Sequence, residues 1–402
     1  MITEHPMTPL ERRSVASLAT LYSFRMIGLF MVLPLLAVYA ADMRGASPAM
    51  IGLALGAYGL SQALLQVPLG WLSDQVGRKP VIIGGLLMFV LGSVVAAFAD
   101  SIYGIVVGRA LQGAGAIAST VMALLADLTG EEQRTKAMAL VGMSIGGSFA
   151  LALVLGPLVA GWAGLSGVFW FNGLLALAGI LVVLTRVPTP ETRARDGAVG
   201  VRSGLLRRCL TDRALGRMNF AVFALHFTLT SLFLVVPGAL SDVAGLDRSV
   251  HWLVYLPALL LSVAGMVPMM IQAERRGRLH GMFLLAIGLL LLAVPLIIFA
   301  PAALPLYLGV LLFFIGFNYM EATLPSLVSK LVSAEGKGTA LGIFSTCQFF
   351  GTFCGGALGG WLLGRGGPLL LAACCGGLAV AWLLLFLPGG AVPVPARAAP
   401  SR

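Results

Sequence analysis

Long blocks of apolar residues, each closed by a short polar or glycine- and proline-containing break, dominate the chain from end to end. Val81 to Ala99, Gly281 to Ala300 and Leu369 to Leu387 are examples. Each is close to the roughly 20 residues that a helix needs to cross the hydrocarbon of a bilayer. Read this way, the pattern predicts twelve helical spans near residues 15–40, 48–72, 80–99, 102–127, 135–161, 166–186, 214–240, 250–273, 280–300, 305–331, 338–363 and 367–388. A transmembrane β-barrel would instead show short strands alternating apolar and polar positions, and these continuous runs do not. The first apolar segment, Val15 to Ala40, is too long for the core of a cleavable signal and is expected to remain as the first span.

Charge supplies an orientation. With the amino terminus placed in the cytoplasm, only Arg44, Arg248 and Arg365 of the 26 basic residues fall outside, and Arg25 and Arg109 lie within spans. The reverse orientation violates the positive-inside rule. The organisation expected is a cytoplasmic amino terminus (1–14), a six-helix bundle (15–186), a basic linker (187–213) with Arg193, Arg195, Arg202, Arg207 and Arg208, a second six-helix bundle (214–388) and a cytoplasmic tail (389–402).

Composition agrees. Hydrophobic residues make up 59% of the 402 positions and charged residues 10%, against about 25% in a typical soluble domain. The net charge of +10 is accounted for by the loops, as topology determinants and anionic-lipid contacts, and no nucleic-acid partner is expected. Of the five cysteines, Cys209 falls in the basic stretch read as a loop, while Cys347, Cys354, Cys374 and Cys375 fall on apolar spans without metal-ligand neighbours. His5, His226, His251 and His280 are scattered, so neither a metal, a cofactor nor an enzymatic acid–base constellation is expected.

A shift of 200 residues lays Val67, Pro68, Asp74, Gly77 and Arg78 over Val267, Pro268, Glu274, Gly277 and Arg278. The two halves therefore read as a duplication. Parallel repeats of this kind bind a solute near the midplane and alternate its access to the two sides.

The break after the second span, Gly70-Trp-Leu-Ser-Asp74-Gln-Val-Gly77-Arg78-Lys79, closely resembles the signature of the major facilitator superfamily. Arg109-Ala-Leu-Gln112-Gly113-Ala-Gly115 is similar to the second signature of that superfamily's proton-coupled members. Gly156-Pro157-Leu-Val-Ala160-Gly161 looks like its antiporter signature, with Ala152 and Ala160 standing where glycine is usual. Together with Arg25 to Pro34, Gly108 to Ala139 and Glu321 to Leu327, the chain resembles the YajR-type branch of the drug:proton antiporter group. It departs from members that carry a soluble carboxy-terminal domain, since only a Pro- and Ala-rich stretch follows Leu387. The resemblance implies an all-α fold of two pseudo-symmetric six-helix bundles in a bacterial inner membrane, acting as a monomer on a small molecule and protons. It also implies that Gly70, Asp74, Gly77, Arg78, Lys79 and Asp127 steady one conformational state, with Arg78 bridging Asp74 and Asp127 and with Asp74 facing the helix that opens near Gly338.

An ionised side chain near mid-membrane costs about 2.5 to 3.5 kcal/mol on insertion scales, which singles out Arg25, Arg109, His226 and Glu321. Arg25 either contributes to the cavity or snorkels to an interface. Arg109, at the second-signature position, either tunes proton coupling or ties helices together. His226 and Glu321 are the groups able to exchange a proton, each with a structural alternative: a satisfied neutral histidine, and a hydrogen bond near Asn318. Gln62, Gln112, Asn219 and Asn318, with Arg25, are the candidates to line a substrate cavity. So few polar side chains on the spans, Gln66, Asn172 and Gln348 being the others noted, favour export of a lipophilic or amphiphilic compound over transport of a sugar or amino acid. A membrane sensor or enzyme is the remaining rival.

Overall fold

A computed structural model describes residues 6–189, 203–332 and 336–388. Among these the chain is helical, with a single isolated bridge between Arg44 and Ser101 and no strand. Ten helices or helix pairs are long and apolar enough to cross a membrane. Two of them, of 54 and 50 residues, each hold two crossings, which brings the described chain to the twelve that the hydropathy pattern predicts.

The first unit comprises residues 1–46 and 57–200. It contains α1 (Pro9–Tyr39), most of α2 (Pro48–Val76), α3 (Arg78–Ala97), α4 (Ile102–Ala114), α5 (Ala118–Asp127) and α6 (Glu131–Thr185). Helix α1 starts at a reciprocal cap: Thr8 Oγ1 accepts from Glu11 N at 3.2 Å and Glu11 Oε2 accepts from Thr8 N at 2.8 Å. Glu11 also accepts from Gly130 N at 2.8 Å through its other oxygen, which ties the start of α1 to the start of α6. Helices α4 and α5 form one crossing interrupted at Gly115–Ile117, and the freed carbonyl of Gly115 accepts from Arg25 at 3.1 Å.

The second unit comprises residues 47–56 and 201–402. It holds the first turns of α2 together with α7 (Ser203–Thr211), α8 (Arg213–Leu232), α9 (Val236–Asp242), α10 (Trp252–Arg275), α11 (Leu279–Ile298), α12 (Ala303–Leu331) and α13 (Lys337–Phe386). Asp212 caps α8 by accepting from Ala214 N and Leu215 N. Part of the stretch read as a linker is therefore ordered as α7, where Leu205, Leu206 and Cys209 turn inward and Arg207 and Arg208 outward. Cys209, expected in a loop, is buried on this helix. Arg193, Arg195, Arg202 and the tail from residue 389 lie outside the described residues.

The backbone carries the duplication more clearly than the side chains do. The positive-φ glycines among the described residues are Gly45, Gly77 and Gly164 in the first half and Gly245, Gly277 and Gly367 in the second. Gly164 (φ 65°, ψ −168°) and Gly367 (φ 64°, ψ −162°) turn α6 and α13 between their two crossings, a conformation that a Cβ would oppose. Burial follows the same repeat. The apolar windows of α1 and of the α8–α9 crossing are 78% and 83% buried, against 28% to 39% for α6, α10, α11 and α13. Each unit thus has one inner helix, α1 or α8, and a polar group on it lies away from lipid.

Candidate functional site

The α2–α3 turn builds an ion-pair cluster in the first unit. Gly70 lets α2 approach Ser119 of α5, whose hydroxyl donates to Gln66 O at 3.0 Å. Gly77 (φ 104°) reverses the chain, so that Arg78, at the first position of α3, returns toward the last turn of α2. Its guanidinium pairs with Asp74, and its Nε donates to Asp127 Oδ2 at 3.1 Å. Ser73 adds an acceptor at 2.7 Å that motif reading does not show. Lys79 enters no ion pair among the described residues. In the other half Gly277 makes the same kind of turn, but the clasp is absent among the described residues. The last turn of α12 carries Lys330 where that of α5 carries Asp127, and Arg278 forms no ion pair among the described residues.

Arg25 and Arg109 lie inside the first unit, 2% and 0% exposed. Arg25, on α1, donates through Nη2 to Gln62 Oε1 at 2.6 Å, and Gln62 passes its own amide to Gln66 Oε1 at 3.2 Å. Arg109, on α4, donates to Gln112 Oε1 at 2.9 Å, and Gln112 donates to Ser93 Oγ on α3 at 2.8 Å. Both guanidiniums address the ring of Tyr58, Arg109 at 4.9 Å and Arg25 at 6.0 Å from its centroid. Neither forms an ion pair among the described residues. Arg25 therefore does not snorkel; its head is held by α2 and by the broken crossing. Gly156 and Pro157 are buried on α6, with Gly156 against the backbone of α1 at Met31, while Gly161 is exposed on the same helix.

In the second unit, three helices bring His226, Glu321 and Gln348 together. His226 projects from α8 with Nδ1 3.1 Å from Val222 O. A carbonyl only accepts, so this contact is a hydrogen bond when Nδ1 carries the hydrogen, and in a neutral ring that leaves Nε2 as the lone pair. Gln348 on α13 places its amide nitrogen 2.8 Å from that Nε2 and donates to Glu321 Oε1 at 3.3 Å. Glu321 Oε2 on α12 stands 3.7 Å from His226 Nε2. The Phe317 ring meets the imidazole at 5.7 Å. The His226 side chain is 9% exposed and that of Glu321 40%, so the carboxylate is the outer member of the pair.

The α8–α13 seam holds this trio in register. Gly351 and Gly355 follow Gln348 on one face of α13, and a Cβ on Gly355 would sit 2.3 Å from Phe227 O. Only glycine allows this approach. Ser231 donates to Gly355 O at 2.9 Å one turn further along.

Asn318 does not partner Glu321. Its amide donates instead to Ser262 Oγ on α10, the helix packed beside it, at 2.7 Å. Asn219 is half-buried on α8, with its Oδ1 unpartnered.

The family model described as Major Facilitator Superfamily matches residues 18–320 and, overlapping these, 218–401. The chain belongs to the major facilitator superfamily. It is 46% identical over 385 residues to the inner membrane transport protein YajR of Escherichia coli K12, covering 95% of this chain and 84% of that protein. It is 26% identical over 370 residues to the multidrug resistance protein MdtH of Aeromonas hydrophila, covering 90% and 91% of the two chains. Among solved structures, the nucleoside transporter NupG matches with a TM-score of 0.74 at 14% identity, over 93% of this chain and 98% of that one. A D-xylose–proton symporter matches with a TM-score of 0.69 at 16% identity, over 94% and 98%. These two show the shared fold. The protein is a multi-pass membrane transporter of a small molecule, and not an enzyme.

Proposed function

We propose that this protein exports small lipophilic or amphiphilic compounds across the bacterial inner membrane in exchange for protons, by alternating access, with both termini in the cytoplasm and the monomer as the working unit. The observation that carries the proposal is the approach of Glu321 to His226 on the inner helix of the second unit. It brings together the two groups on the spans able to exchange a proton, with the carboxylate outermost and the Gln348 amide between the two. A carboxylate and an imidazole can each take up and release a proton, so the pair gives a proton two places to rest. The distant multidrug relatives and the scarcity of polar side chains on the spans support the substrate class.

In this reading the repeats at 15–186 and 214–388 are the two moving bundles. Asp74, Arg78 and Asp127, with Gly70, Gly77 and Lys79 shaping the turn, steady one end state. Arg109 and Arg25, two cations without a carboxylate partner among the described residues, set the potential inside the first unit, and Gln62, Gln112, Asn219 and Asn318 contribute polar contacts to the solute. Gly156, Pro157 and Gly161 shape the antiporter helix. Reconstituted protein in liposomes loaded with a fluorescent lipophilic cation such as ethidium tests this. Efflux is expected to accelerate when a proton gradient is imposed and to fall to the leak rate of empty liposomes when the gradient is collapsed. Efflux equal with and without the gradient contradicts it.

A further inference from the structure

Gln348 belongs to no motif in the sequence, yet it is the residue that joins His226 to Glu321. Its amide nitrogen has two hydrogens and, within hydrogen-bond reach, two acceptors: the bare Nε2 of His226 at 2.8 Å and Glu321 Oε1 at 3.3 Å. Both hydrogens are satisfied only when the imidazole is neutral, since a carboxyl accepts through Oε1 whether or not Oε2 carries a proton. Val222 O takes the Nδ1 hydrogen and so removes the alternative tautomer. When a proton binds at Nε2, a new N–H bond points at an amide that itself offers only hydrogens. The Gln348–His226 hydrogen bond must then break, and either the amide turns over to present its oxygen or it turns away while the imidazolium leans toward Glu321 Oε2.

We infer that Gln348 is a positioning residue that stabilises neutral His226 beside Glu321 and ties that form to α13, so that loading a proton at His226 Nε2 releases the tie. The inference rests on the proton-coupling reading of the same pair and adds the residue through which α13 senses it. The same helix face continues into Gly351 and Gly355, packed on α8, so a break at Gln348 acts at the start of that seam. Of the titratable side chains on elements packed against α8, Glu321 alone pairs with His226 among the described residues. Helix α12 also carries Tyr307, Tyr319 and Lys330. Helix α13 carries Lys337, Cys347, Cys354, Arg365, Cys374 and Cys375. Helix α11 has His280 in its first turn, and α7 has Arg207, Arg208 and Cys209.

The test is nitrogen-15 NMR of histidine-labelled full-length protein in lipid, with the His226 resonances identified by their loss in His226→Gln. In the parent at high pH, His226 is expected as the Nδ1–H tautomer. Gln348→Leu removes a hydrogen bond that only the proton-free state makes, so the protonation midpoint of His226 should rise, by about half to one pH unit. Gln348→Lys keeps donors but adds a fixed positive charge, so the midpoint should fall. The pH at which gradient-driven ethidium efflux is half-maximal should move in the same directions. A midpoint in Gln348→Leu that is unchanged or lowered, or an Nε2–H tautomer in the parent, overturns the inference even where efflux is proton-driven. A raised midpoint in a protein whose efflux ignores the gradient upholds the role of Gln348 and overturns the proton-coupling reading instead.

Discussion

Glu321 Oε2 stands 3.7 Å from His226 Nε2, although the two residues are 95 positions apart on α12 and α8. The distance is too long for a hydrogen bond and lies toward the outer end of ion-pair range, so in this arrangement the two groups are joined through the Gln348 amide. Replacing Glu321 with Gln imitates the protonated carboxyl without changing its size. Ethidium binding to the purified variant, followed by fluorescence titration between pH 5.5 and 8.5, is expected to lose the pH dependence that the parent shows while keeping affinity within a few-fold. A pH dependence as steep as the parent's assigns the proton elsewhere.

The clasp formed by Arg78 with Asp74 and Asp127 predicts a separation of stability from transport. These side chains are 18% to 28% exposed, and pairs of this kind contribute about 0.2 to 1 kcal/mol each. Asp74→Asn and Asp127→Asn should therefore shift the thermal midpoint by only a few degrees, while gradient-driven efflux falls several-fold. Distances between spin labels on the loops flanking α2 and α10 read the conformational balance directly. A distribution unchanged in Asp74→Asn would sink the state-stabilising role.

Arg109 donates to Gln112 and lies over the Tyr58 ring, and alanine loses both interactions. Arg109→Ala leaves Gln112 Oε1 buried without its donor, a cost of about 1 to 3 kcal/mol. Arg109→Lys keeps the charge and loses the fork. Both variants should lose proton-driven efflux while still binding ethidium. Full gradient-driven efflux in Arg109→Ala would assign the residue to helix packing alone.

The α8–α13 seam makes a prediction independent of proton chemistry. A methyl group at Gly355 meets the backbone of α8 at Phe227, whereas one at Gly142 of α6 meets nothing within 4 Å. Gly355→Ala is expected to destabilise by about 1 to 3 kcal/mol through overpacking and Gly142→Ala to be neutral. Thermal melts in detergent compare the two. Equal midpoints would show that the seam is looser than this structure.

The fold was legible because hydrocarbon imposes a length and a polarity on every crossing. Even the two merged helices were separable, as the apolar runs ending near 161 and 363 and those resuming near 166 and 367 bracket the turn glycines Gly164 and Gly367. The Asp74–Arg78 pair was legible too, since the two partners are four residues apart on either side of one turn. The trio in the second unit was not. Gln348 lies 122 residues from His226 and 27 from Glu321, and nothing in its local sequence separates it from Gln66 or Asn172. Asn318 misled for the opposite reason. It is three residues from Glu321 and so near it in sequence, but its amide leaves toward Ser262 on α10. Proximity along a helix states which face a residue shares, and only packing states what that face meets.

Proton movement itself tests the central claim most directly. Lightly buffered liposomes containing the parent protein, with a pH indicator trapped inside, are given ethidium on the side from which it is exported. The account predicts a pH change whose sign is opposite to the direction of ethidium flux, and its loss in Glu321→Gln and in His226→Gln. Persistence of the parent's pH change in the double variant would contradict it.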